Sequence, residues 1–160
     1  MTLAALTLAL ERRLYTALRA RADARSPLPP HLLTGERGED AAFFHLRGRG
    51  YTIVARRWRA QRVRGDLDLV AWDGDTLVIV EVKTRTARDF APAAAEVDRF
   101  KQEQLRRMAG AYLSQLPKAH RAAVPLRFDV VSVYLLADTV EFEHIPNAFP
   151  RTSQFRRFGV

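Results

Sequence analysis

The stretch RGDLDLVAWDGDTLVIVEVKTR, residues 64–85, decides the fold. At its centre Leu77, Val78, Ile79 and Val80 form an unbroken apolar run, the pattern of a strand buried on both faces. The run then ends on Glu81-Val82-Lys83, an acid and a base one residue apart. Residues 66–72 and 76–84 read as two strands joined by Asp73-Gly74-Asp75-Thr76, a strong hairpin signal. Side chains alternate along a strand, so Asp66 and Asp68 share one face, as do Glu81 and Lys83. If Gly74-Asp75 is the turn, Asp68 stands opposite Glu81 and Asp66 opposite Lys83. If Asp73-Gly74 is the turn, Asp66 stands opposite Glu81. Directly opposed carboxylates repel. Lys83 supplies one compensating charge, and a divalent cation would supply more, Mg²⁺ preferring carboxylate and water oxygens. The plainer reading is an ion-pair cluster at the end of the sheet.

Around this hairpin the chain reads as helix, three strands, helix, two strands. Residues 3–24 place Leu3, Leu6, Leu10, Leu14, Ala17 and Leu18 at helical spacing with arginines between them, an amphipathic helix. The opening MTLAALTLAL has no basic leader and runs straight into Glu11-Arg12-Arg13, so it reads as part of this helix and not as a secretion signal. Such a helix packs on its own domain or on a partner, and its basic face also suits a membrane or RNA. Prolines in SPLPPHLLTG break it. A second helix over 35–48 carries Glu39, Ala42, Phe43 and Leu46 on one face. Two readings of Glu39 are open: an acid at the end of an apolar stripe that must be paired or hold a metal, or a glutamate favoured by the helix macrodipole. Strands follow at 51–58, 66–72 and 76–84, then a helix over about 98–116, and strands at 127–136 and 139–145. That order predicts an α/β sandwich around a mixed sheet.

The composition narrows the partners. The 160 residues suffice for one domain with a hydrophobic core, and the absence of cysteine excludes a disulfide framework and a thiolate metal site. A net charge of +8 favours polyanions, nucleic acid first and acidic membrane second. Nothing in the sequence is long and apolar enough to span a bilayer. Arginine is the default base, with only three lysines, Lys83, Lys101 and Lys118; a lysine at position 83 or 101 marks a place for a compact ammonium. The four histidines, His31, His45, His120 and His144, lack ligand spacing. Trp58 and Trp72 are candidates for base stacking or for the core.

An acid on one hairpin strand followed by Glu-x-Lys on the next, here Asp68 with Glu81-Val82-Lys83, resembles the PD-(D/E)xK nuclease superfamily. The segments TGERGEDAAFFHLRGRGYTIVARRWR, GDLDLVAWDGDTLVIVEVKTR, RFDVVSVY and HIPNAF resemble the bacterial YraN-like family, itself similar to Holliday-junction resolvases and restriction-endonuclease-like proteins. The resemblance covers roughly residues 34–149. It implies a restriction-endonuclease-like αβββαβ core with a mixed central sheet flanked by helices, plus an N-terminal helical extension. The expected organisation is an amphipathic helix and Pro-rich linker over 1–33, a nuclease-like domain over 34–149 and a basic tail over 150–160.

The resemblance also implies chemistry. Asp68, Glu81 and Glu39 become ligands for Mg²⁺ or Mn²⁺, joined by Asp66 where the family usually carries Glu, and Lys83 becomes the catalytic base or water-positioning group. Arg56, Arg57, Arg59, Arg62, Arg64, Arg85 and Lys101 become contacts to the nucleic-acid backbone. At Arg57 the family tends to carry Asn. The expected activity is a Mg²⁺-dependent endonuclease on DNA, branched or damaged, with DNA ahead of RNA. Resolvase-like relatives imply a homodimer, and with no targeting signal the default location is the cytoplasm. Two other functions are open: a non-catalytic nucleic-acid-binding module on a nuclease fold, and an interaction protein that recruits a partner through its N-terminal helix.

Overall fold

The computed structural model describes residues 2–88, 97–121 and 123–151. Its elements run α1 (Leu3–Asp23), α2 (Pro30–Gly48), β1 (Thr52–Trp58), β2 (Leu67–Asp73), β3 (Thr76–Arg85), α3 (Arg99–Leu113), α4 (Lys118–Arg121), β4 (Leu126–Leu135) and β5 (Val140–Ile145). This is the expected αβββαβ core, with a further helix in front of it. The five strands make one mixed sheet in the order β1-β2-β3-β4-β5. β1, β2 and β3 are antiparallel neighbours, β3 and β4 are parallel, and β5 returns antiparallel to β4. A parallel pair needs a crossover, and the segment carrying α3 and α4 provides it.

The apolar run of β3 is explained by its place in the middle. On one face Val78 and Val80 pack with Leu69, Val131 and Val133 beneath Ala42 and Leu46 of α2. On the other, Leu77 and Ile79 pack with Leu67, Val70, Phe128 and Val130 beneath Leu105, Met108 and Leu113 of α3. Side chains buried this way contribute about 1.5–3 kcal/mol each. Trp58 and Trp72 pack against the α3-side core, and Trp58 meets Tyr112 edge-to-face at 5.2 Å.

The hairpin closes on Gly74-Asp75, with Asp73 paired to Thr76. Gly74 takes φ +56, a conformation that suits glycine at the first centre of a two-residue turn. α2 begins at Pro30, five residues before the start read from the sequence. Pro29 and Pro30 do break the chain from α1, but a proline at the first helical position is preorganised for a helix and forfeits no intrahelical bond. α3 starts where Asp98 accepts a hydrogen bond from the Lys101 N–H at 2.7 Å, a side-chain N-cap. The basic tail at 152–160 lies outside the described residues.

α1 docks on α2 through polar groups. Tyr15 donates to Asp40 at 3.0 Å, Arg37 to Asp23 at 2.7 Å, and Arg47 to Glu11 at 2.6 Å, while Arg19 bridges Asp23 and Glu36. Asp40, buried at the centre of this contact, also takes a hydrogen bond from Arg56.

Candidate functional site

The site is made by two strands of unequal length. The β2–β3 ladder stops at Leu69–Val80, whereas β3 stays paired with β4 as far as Arg85–Tyr134. One residue beyond the end of the β2 ladder, the same register sets Asp68 opposite Glu81. The Asp68 carboxylate accepts the Val82 N–H at 2.7 Å. Residues 81–85 therefore border an open cavity of about 650 Å³, whose other wall is α2 at His31, Thr34, Gly35 and Glu39. α2 lies this close because residue 38 is glycine. A Cβ there would stand 1.8 Å from Thr84 Oγ1, far inside any real contact.

Glu81 is 3 % exposed. Two lysines flank its carboxylate: Lys83 Nζ lies 3.0 Å from Oε1, and Lys101 Nζ, reaching down from the first turn of α3, lies 3.0 Å from Oε2. Burial, followed by the neighbouring Glu81 charge, pushes the Asp68 carboxyl up to about 8. Burial opposes the Lys101 charge, but Glu81 outweighs it and raises the Lys101 pKa above its usual value.

Glu39 faces the same cavity yet is turned to Arg57, which donates to it from Nε. Among the described residues no three histidines or carboxylates are drawn together tightly enough to enclose a metal. Asp68 and Glu81 alone nevertheless fit a hard divalent cation: two adjacent carboxylate donors, one raised far above its ordinary pKa and the other flanked by two ammonium groups that stand where positive charge is needed. Mg²⁺ keeps several waters and needs only one or two carboxylates.

The arginines divide by location. Arg56 lies over the Phe43 ring at 4.8 Å and bonds Asp40, Arg57 bonds Glu36 and Glu39, and Arg85 is buried with its guanidinium 5.8 Å from the Tyr134 ring. Arg59, Arg62 and Arg64 are exposed on the β1–β2 loop. That loop is held to α3 by Gln104, which donates to the Arg64 carbonyl at 3.2 Å. Asp66 sits at the loop's end, half-buried, 3.7 Å from Arg59. Phe100, beside Lys101 and one helical turn before Gln104, is 75 % exposed, an aromatic that the sequence pattern did not single out. Asp40 was equally invisible, because its partners Tyr15 and Arg56 lie 25 and 16 residues away.

Residues 38–133 match the model of the family described as "Uncharacterised protein family UPF0102". A UPF0102 protein of Koribacter versatilis is 45 % identical over 141 residues, 86 % of this chain and 96 % of that protein. One from Solibacter usitatus is 43 % identical over 72 % of this chain and 84 % of its own length, and one from Geobacter metallireducens 40 % over 72 % and 90 %. The family match covers more than half of the chain, and the chain belongs to the UPF0102 family.

Proposed function

We propose that this protein is a metal-dependent endonuclease that hydrolyses phosphodiester bonds in DNA. The observation that carries the reading is the pair of opposed carboxylates, Asp68 and Glu81, with Lys83 on the same carboxylate, at the open end of β3. Such a cluster has no packing role that apolar residues would not fill better. Asp68 and Glu81 would hold Mg²⁺ or Mn²⁺, with Glu39 joining once released from Arg57. A bound divalent cation would polarise the scissile phosphate and acidify a water.

The chain's own groups do the rest. Lys83 orients the attacking water and stabilises charge on the phosphate. Arg59, Arg62 and Arg64 on the exposed loop contact phosphates and give affinity without sequence preference. Phe100 offers an aromatic face for an unpaired base.

A non-catalytic binding module is the second reading, favoured by the Arg57–Glu39 pair that keeps the third acid from its neighbours. Cleavage of labelled duplex, single-stranded and four-way-junction DNA with Mg²⁺ or Mn²⁺, beside Asp68→Ala and Lys83→Ala, separates the two. A nuclease cuts only with metal and loses about 100-fold or more in each variant. Salt-sensitive binding with no cutting under either metal assigns the fold to binding alone.

A further inference from the structure

We infer that the outward face of α1 is a docking surface for an anionic lipid bilayer. α1 is inverted relative to an ordinary surface helix. Its polar side chains Tyr15, Arg19 and Asp23 face the protein and are satisfied there. Five of its six leucines face away, Leu8 alone turning to α2: Leu3 is 81 % exposed, Leu6 47 %, Leu10 69 %, Leu14 61 % and Leu18 58 %. At about 100° per residue these five fall within an arc of about 120°, a stripe about 22 Å long. A contiguous apolar stripe of this kind marks an interaction surface.

Charge decides what covers it. Arg21 lies within this arc and Arg13 just beyond its edge, both exposed. The helix has only two acids, Glu11 and Asp23, and both are paired with arginines of α2, Arg47 and Arg37. The face therefore presents leucine and positive charge with no free carboxylate. A second copy is a poor occupant: parallel helices would bring like arginines together, and antiparallel ones would bring Arg21 to the positive end of the partner helix. Phosphates of nucleic acid would satisfy the arginines but leave the leucines in water. An acidic bilayer takes both, the leucines among the acyl chains and the arginines at the headgroups, as interfacial amphipathic helices do. No helix of the described residues is long and apolar enough to cross the membrane, so this is attachment from one side.

The test is co-sedimentation of the full chain with vesicles of phosphatidylcholine alone and of phosphatidylcholine mixed with phosphatidylglycerol. The triple variant L10A/L14A/L18A keeps the charge and has high helix propensity, and circular dichroism verifies its fold. The expected result is binding to the anionic vesicles only, weakened at least tenfold in the triple variant. No binding to anionic vesicles overturns the inference. So does binding that the triple variant retains, which reports general positive charge. Self-association in sedimentation velocity that the leucine changes abolish also overturns it and gives the face to a second copy.

Discussion

Arg57 holds two acids of α2 at once, Glu39 through Nε and Glu36 through an Nη at 2.8 Å, and does so from a backbone at φ +48. Left-handed backbone disfavours a Cβ-bearing residue, and Asn tolerates it best after Gly. Arg57→Asn therefore eases the backbone while removing two half-exposed ion pairs worth about 0–1 kcal/mol each, so thermal stability stays within a few degrees. Glu39 is then free to approach Asp68 and Glu81. Mn²⁺ binding measured by calorimetry is expected to tighten about fivefold, the equivalent of one such ion pair. Unchanged or weaker affinity would remove Glu39 from the ligand set.

Gly38 sets the distance between α2 and β3. Gly38→Ala places a methyl 1.8 Å from Thr84 Oγ1 and closer than 3 Å to the rest of that side chain. α2 must lift, and Glu39 moves with it. Overpacking of this kind costs about 1–3 kcal/mol, readable as a lower denaturant midpoint. Stability equal to the parent would show that Thr84 simply rotates away.

Phe100 is an exposed aromatic beside Lys101, whose ammonium reaches Glu81. If it stacks on an unpaired base, Phe100→Ala weakens binding to a short single strand by about 10-fold, at the low end of the 1–3 kcal/mol that base–aromatic stacking contributes. Binding to blunt duplex, in which every base is already stacked, stays the same. Equal losses on both DNAs, or none on either, would sink the stacking role.

The parts legible in the sequence were those set by local pattern. The apolar run Leu77–Val80 with its bounding hairpin located β2 and β3, and Gly74-Asp75 is one of the two turns the sequence allows. The chosen turn is what sets Asp68 against Glu81. Illegible were features made by residues distant in the chain: Arg57 on Glu36 and Glu39, Asp40 beneath Tyr15 and Arg56, and Lys101 on Glu81. α1 read correctly as amphipathic, but periodicity does not say which face turns inward. The early start of α2 was hidden because a proline signals both the end of one helix and the first residue of the next.

Asp129 gives a pH dependence away from the carboxylate pair. It is fully buried and accepts from Arg127 at 2.8 Å, from the Asn147 N–H at 2.9 Å and shares a 2.9 Å hydrogen bond with His144. Burial pushes its carboxyl up, but the bonds from His144, Arg127 and Asn147 together outweigh this and hold it below its ordinary value of 3.8. A depressed carboxyl stabilises the fold fully above its unfolded pKa, and that stabilisation is lost as pH falls through the folded value. Asp129→Asn is expected to cost about 1–3 kcal/mol near neutrality, because Arg127 loses its buried partner but keeps Asp73 at 3.0 Å. The gap from the parent should shrink below about pH 4. A gap that stays constant from pH 7 to pH 3 would mean that the charge on Asp129 contributes nothing.

Lys101 tests whether the site is built for a cation. Its ammonium lies on Glu81, where it offsets the charge of that buried carboxylate. Lys101→Met removes that charge with little loss of volume. The metal-free protein should lose about 1–3 kcal/mol, the cost of a buried carboxylate oxygen deprived of its ammonium while Lys83 stays on the other oxygen. A divalent cation bound between Asp68 and Glu81 would replace the missing charge. Mn²⁺ should therefore raise the melting temperature of the variant more than that of the parent, and most of the loss should be recovered at saturating metal. A control with Asp68→Asn in the same background should show no such recovery. If Mn²⁺ shifts parent and variant equally, Lys101 does not stand in for the metal, and its contact with Glu81 is an ion pair of the fold alone.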